Sequence, residues 1–209
     1  MIEDVFKKRR RCTVFTDKAP PYDLMMSIIN KTYDLVPSKQ NLMPYKIHVL
    51  GPDCLKYKDE LYKLTQCASD GEYTSTAANT QCFAPYVFIF TLRLAEANGF
   101  VERKVGEGHF YQSIWPETYK NSGNIKTACI EIGLWSMLFT GLCLENDIDV
   151  MYTLCFPSWT NDEKSNWPEL PFVKEQPLLV MSAGYAHTHS KLLGETKPDI
   201  DDMVCFEHE

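Results

Sequence analysis

The sequence predicts a layered domain of helices and strands, α+β or α/β, and three observations predict it. Strand-like apolar runs at 45–50, 87–92, 150–154 and 178–182 stand far apart in the chain, with helical periodicities between them. No internal repeat, low-complexity tract or linker divides the 209 residues, so one domain, 1–209, is expected. With 44% hydrophobic and 23% charged residues, the chain can bury one substantial core. Alternating helices and widely spaced strands argue against a bundle or a sandwich.

The elements follow in order. Leu24, Met25, Ile28, Ile29, Thr32 and Val36 recur at helical spacing with Asn30, Lys31 and Asp34 between them, and Pro37 stops that helix. Residues 45–50 alternate with period two until Gly51-Pro52-Asp53, a half-buried strand followed by a turn. A second helix follows with Tyr57, Leu61 and Leu64 on one face. Residues 67–83 are mostly small and polar, and then 87–92 runs almost without a polar break, which predicts a strand covered on both faces in the middle of the sheet. The stretch 95–122 mixes Gly, charges and aromatics and reads as an excursion that covers a pocket. From 124 to 144 the chain is apolar nearly all round, which predicts a helix enclosed by its neighbours, with Gly133 and Gly141 admitting another backbone. Glu131, and an apolar stretch shorter than the roughly 20 residues a bilayer requires, favour a central core helix over a membrane span. Short strands at 150–154 and 178–182 flank a Pro- and Trp-containing loop at 157–172, and Met203-Val204-Cys205-Phe206 is a last strand candidate.

The formal net charge of -7 and pI near 5.3 argue against a nucleic-acid surface, which needs Lys and Arg in excess. The start, Met1-Ile2-Glu3-Asp4, lacks an apolar export segment, so a cytosolic protein is expected. Eight cysteines, at 12, 54, 67, 82, 129, 143, 155 and 205, include no C-x-x-C pair and read as buried free thiols in a reducing compartment. His187-Thr188-His189 has a spacing a metal could use but no evident Cys or carboxylate partner; it reads as a solvated loop, and no metal is expected.

Two stretches bear on chemistry. Lys7-Lys8-Arg9-Arg10-Arg11 is five consecutive cations on an acidic protein, either a solvated face or a meeting place for a compact anion such as phosphate. Between the first helix and first strand lies Val36-Pro37-Ser38-Lys39-Gln40-Asn41-Leu42-Met43-Pro44-Tyr45, in which Ser38 and Asn41 can hydrogen-bond in a turn and Pro44 launches the strand.

Together these stretches resemble the opening of the nitroreductase family of flavoproteins, a basic R-x-S-x-R/K-x-F segment before a helix ending in P-S-x-x-N-x-Q-P-W. The matching residues are Arg9, Arg11, Thr13 and Phe15, then Pro37, Ser38, Asn41, Pro44 and Tyr45. The apolar helix around Ile132-Gly133-Leu134-Trp135 with its Gly141-Leu142 ending is similar to the family's long central helix. Residues 150–156 resemble the segment whose backbone faces the flavin N5 and O4 edge. Residues 177–185 are similar to the strand ending in G-Y, and Lys197-Pro198-Asp199 to the late R-x-P stretch.

The resemblance implies a three-layer α+β fold, a central mixed sheet flanked by helices, in an intertwined homodimer with FMN at the interface. It implies Arg9, Arg11 and Lys197 as phosphate ligands, a role that suits the planar guanidinium fork of the two arginines. Thr13 stands where the family usually has Lys or Arg near the flavin pyrimidine edge. Pro37, Ser38, Lys39 and Asn41 would lie against the ring and ribityl chain, from the neighbouring subunit, and Asn79 near the pyrimidine edge. Backbone near Leu154 and Cys155 would face N5 and O4; the family often has Gly at the second of these. The implied reaction is ping-pong: NADH or NADPH gives hydride to FMN N5, and a nitroaromatic, quinone or flavin then takes it up. The cofactor carries the chemistry, so no catalytic side chain is named. Phe110, Tyr111 and Trp115 would line the substrate side or pack in the core, and Cys155 would be a redox thiol or a small packed residue. The rival readings are a flavin-binding protein without turnover, or one with diverged chemistry such as flavin fragmentation or reductive dehalogenation.

Overall fold

The structure of the chain, a computed structural model, describes residues 2–66, 79–93, 122–154, 177–187 and 203. Its helices are α1 (Ile2–Phe6), α2 (Tyr22–Leu35), α3 (Leu55–Gln66) and α4 (Ser122–Glu145). Its strands are β1 (Tyr45–Leu50), β2 (Tyr86–Leu92), β3 (Asp149–Thr153) and β4 (Pro177–Gly184), and short 3-10 helices cover Lys39–Asn41 and Thr80–Phe83. The helix expected to stop at Pro37 does so. Val36 has already left helical backbone at φ -72, ψ 129, because the proline ring crowds a helical conformation in the residue before it.

The strands form one sheet in the order β1-β2-β4-β3. Every pairing among these described strands is antiparallel, where a mixed sheet was expected, because β4 enters between β2 and β3 and runs against both. The layered α+β class stands. β2 lies inside the sheet as predicted, and its unbroken apolar run divides by parity. Tyr86, Phe88 and Phe90 enter the core under α2 and α4, while Val87 and Ile89 enter the second core with Leu61 of α3 and Cys82. β4 divides likewise, with Met181 and Ala183 on one face and Val180 on the other. Of the face expected for α3, Leu61 is buried and Tyr57 packs beside it; the side chain of Leu64 lies outside the described residues.

The larger core centres on Trp135, stacked on Phe139 at 4.8 Å, with Phe88 edge-on to Phe139 at 4.8 Å and Phe90 edge-on to Trp135 at 5.3 Å. These geometries suit the quadrupoles of aromatic rings. The expectation that α4 is enclosed all round is corrected, because within one chain only one side of it meets the sheet. Ile130, Leu134 and Met137, at i, i+4 and i+7, are 57%, 46% and 53% exposed. Gly133 faces open space, and a Cβ added at Gly141 would lie 3.3 Å from the ring of Phe6 rather than against another backbone. The helix also runs past Gly141-Leu142 to Glu145, where Asp147 at φ 55 closes it and Ile148 N–H bonds to Cys143 O at 2.9 Å. By length and composition α4 could cross a membrane, but more than half of it is buried inside the fold, as expected for a core helix. Apart from Ser122, the expected excursion at 95–122 lies outside the described residues; so do the loop 157–172 and residues 204–206, while Met203 sits in a turn.

Pro85 ties the second layer to the sheet. The buried ammonium of Lys58 on α3 donates to its carbonyl at 2.9 Å, and its ring lies where a Cβ on Gly184 would fall, 2.7 Å away. Gly184→Ala is therefore expected to lower stability by about 1–3 kcal/mol, read from denaturant unfolding. Burial pushes the Lys58 ammonium down to about 8 from 10.5. Between those values the unfolded chain holds a proton that the folded chain has released, so this group adds stability as pH rises through the window. Wild type should gain stability relative to Lys58→Met between pH 7.5 and 9.5, an equal change in both proteins being the contrary result.

Candidate functional site

The five-cation run, which charge alone left between a solvated face and an anion site, divides among separate partners. Lys7 pairs with Glu3 one turn back in α1 at 2.6 Å. Lys8 reaches the far end of α4, pairing with Asp147 at 2.8 Å and donating to Leu144 O at 3.4 Å, a favourable place for a cation at a helix C-terminus. Arg9 lies over the ring of Tyr152 at 5.7 Å, exposed and with no carboxylate partner among the described residues. Arg11 is exposed beside it in the chain.

Tyr152 is held in turn by α4. Its hydroxyl meets Thr140 Oγ1 at short range and donates to Ser136 O at 3.2 Å. Burial raises its phenol above the ordinary range, while the bond from Thr140 and the charge of Arg9 pull the other way. Cys12, between Arg11 and Thr13, donates to Val14 O at 3.2 Å, and burial followed by the charge of Asp149 pushes its thiol up to about 12. It is a packed thiol, as the scattered cysteines suggested.

Three segments expected at the flavin's polar edge come together at the 3-10 helix Thr80–Phe83. Thr80 Oγ1 donates to Thr13 O at 2.9 Å. Gln81 Nε2 donates to Asn79 Oδ1 at 3.0 Å and to Thr153 Oγ1 at 3.0 Å. Leu154, the next residue, is 70% exposed. Thr13, Asn79 and the end of β3 thus share one hydrogen-bonded edge. Cys155, Lys197, Phe110, Tyr111, Trp115 and His189 lie outside the described residues. Among the described residues no group of His, Cys, Asp and Glu is arranged to hold a metal ion.

The loop with Pro37, Ser38, Lys39 and Asn41 sits elsewhere on α4. Ser38 Oγ accepts from Met43 N–H at 2.8 Å, and Lys39 N–H donates to the buried Glu131 Oε1 at 2.9 Å. Asn41 and Met43 carry φ of 54 and 44, in the left-handed region that side chains other than glycine seldom adopt. Arg93 holds that shape, its Nε donating to Met43 O at 3.0 Å and its Nη2 to Leu42 O. Pro37, Lys39 and Asn41 remain exposed. Glu131, Tyr152, Gln81, Thr153 and Arg93 are residues that sequence reading did not place at the site. Of these only Glu131, a lone charge in an apolar helix, carried a signal.

No protein-family model matches the sequence, and no curated protein matches it either. Solved structures do match, over nearly the whole chain. A nitroreductase from Exiguobacterium sibiricum, provisionally assigned and in complex with FMN, superposes with a TM-score of 0.68 at 17% identity, covering 99% of this chain and 97% of that one. A protein from Staphylococcus epidermidis provisionally assigned as an NAD(P)H:FMN oxidoreductase gives 0.67 at 17% identity, covering 99% and 96%. The chain has the nitroreductase fold. A nitroreductase with bound FMN from Desulfitobacterium hafniense gives 0.60 at 13% identity, covering 99% and 98%, so the fold holds where little sequence is shared.

In this version of the nitroreductase fold the loop after α2 depends on Glu131. Glu131→Ala orphans the Lys39 amide and is expected to cost about 1–3 kcal/mol with faster hydrogen exchange at Lys39. Glu131→Gln keeps an acceptor there and should cost less. Equal losses for the two variants would show that the contact does not hold the loop.

Proposed function

We propose that this chain is an FMN-dependent oxidoreductase that works as a homodimer and passes electrons from NAD(P)H to an oxidised acceptor such as a nitroaromatic, quinone or flavin. The observation that carries the reading is the full-length nitroreductase fold with Thr13, Asn79 and Leu154 gathered on one edge.

The residues present fit FMN. An exposed guanidinium at Arg9, with no carboxylate partner among the described residues, suits a phosphate, and the Thr13–Asn79–Gln81–Thr153 edge suits a planar heterocycle with donors and acceptors. Gln81 Oε1 there is buried, an acceptor with no hydrogen-bond partner among the described residues. Arg9, Arg11 and Lys197 would hold the phosphate; Thr13 and Asn79 would meet the pyrimidine edge. Backbone at Leu154 and Cys155 would face the reactive edge. Bound FMN supplies a two-electron carrier, in ping-pong exchange between nicotinamide and acceptor. The chain's own work is to bind, orient and shield, so no side chain is assigned an acid or base role.

The second copy is argued from α4. Its open row of Ile130, Leu134 and Met137 continues into a groove of about 670 Å³ lined by Ile2, Val5, Phe6 and Leu138, an apolar surface that water covers poorly. Another copy of the same helix would cover it and bring the Pro37, Ser38, Lys39 and Asn41 loop to its partner's flavin. The rival reading, a flavin-binding protein without turnover or with diverged chemistry, draws on Thr13, which supplies no cation at the pyrimidine edge.

The purified protein should be yellow, elute as a dimer, and bleach anaerobically with NADH or NADPH. Arg9→Ala should weaken FMN binding by about tenfold or more. Bound FMN that no reduced nicotinamide bleaches would favour the rival, and a colourless monomer that takes up no FMN would refute both.

A further inference from the structure

We propose that Gln81 is a positioning residue of the cofactor site, its amide setting the separation between the Asn79 side chain and the end of β3. This rests on the FMN reading above. Asn79 and Leu154 are 75 residues apart in the chain, one at the cap of a 3-10 helix and the other directly after the end of β3. Gln81 is 4% exposed, and one nitrogen spends both its protons across the gap, on Asn79 Oδ1 and on Thr153 Oγ1, each at 3.0 Å. The bond to Thr153 fixes the residue directly before Leu154. The bond to Asn79 occupies its carbonyl oxygen, which leaves the Asn79 amide nitrogen to serve as donor and so fixes which polarity that side chain shows a ligand.

The same short helix carries a third tie, Thr80 Oγ1 to Thr13 O at 2.9 Å. The two neighbouring side chains therefore join three segments that meet nowhere in sequence. Thr153 is 2% exposed and both Gln81 amide protons are donated within the fold, so the amide is committed to this geometry rather than to solvent. A buried amide whose donors are both used is costly to displace, which makes it a rigid spacer.

The test uses the full chain loaded with FMN. Gln81→Leu removes both bonds; Thr153→Val removes one with little change of shape; Thr153→Ser restores the hydroxyl. The first two should weaken FMN binding, read by quenching of flavin fluorescence, by about tenfold and a few-fold respectively. At saturating FMN they should also shift the flavin absorption bands and midpoint potential, with Thr153→Ser close to wild type. A double variant should lose no more than Gln81→Leu alone, since both changes break the same bond. Binding, bands and potential all at wild-type values in Gln81→Leu and Thr153→Val would overturn the proposal, even if their unfolding midpoints fell, because that is the pattern of a purely structural role. Should Gln81→Leu fail to fold, Thr153→Val against Thr153→Ser decides alone. Wild-type protein that takes up no FMN overturns the functional reading and this proposal with it; wild-type uptake with unaffected variants overturns this proposal only.

Discussion

The packing of α4 on the sheet is the constraint from which the rest follows. Trp135 and Phe139 are buried against Phe88 and Phe90, and large aromatic side chains contribute about 3–5 kcal/mol each when they fill such sites. Once that contact is made, the helix serves as a common support for segments distant in sequence. Glu131 near its middle takes the Lys39 amide, Ser136 and Thr140 take the Tyr152 hydroxyl, and Leu144 at its end takes Lys8. From Glu131 to Leu144 is 13 residues, about 20 Å of straight helix. The loop after α2 and the basic segment before it are thus fixed at two separate points on one helix, one near its middle and one at its end.

The burial of β2 and β4 explains why so much of the fold was legible. A run of apolar residues with no polar break fits only a strand with both faces covered, and alternate side chains of 86–90 enter the two cores. The end of α2 was legible because proline acts locally on Val36. What could not be read was direction and side. Strand order depends on contacts between residues about 90 positions apart, as in Val87 with Ser182, and no local pattern reports whether such a pair runs parallel. Nor could composition reveal which flank of an all-apolar helix stays open, since Trp135 inside and Leu134 outside are both apolar neighbours.

The candidate site was legible in its parts and not in its wiring. Five cations in a row mark electrostatic interest, but their partners lie elsewhere, Asp147 being 139 residues from Lys8. Only the fold shows that Lys7 and Lys8 are spent on ion pairs and that Arg9 remains over Tyr152. The Pro37-Ser38 motif placed its loop correctly, yet the strain it carries has no sequence signature: Met43 at φ 44 is held by an arginine 50 positions on. Backbone in a sparsely populated region persists only where surrounding contacts over-determine it. Here Ser38, Glu131 and Arg93 provide them.

The middle and the C-terminal end of α4 therefore present different kinds of surface for different physical reasons. Near Glu131 a loop is held against its own backbone preference by hydrogen bonds with Ser38, Glu131 and Arg93. Near Thr140 and Leu144 an arginine lies across a tyrosine ring, beside a lysine already neutralised by Asp147. Lys8 is paired with Asp147, whereas among the described residues no carboxylate pairs with Arg9. In that division one cation closes the helix and the next lies over an aromatic ring, so the run does not act as a single positive face on a protein of net charge -7.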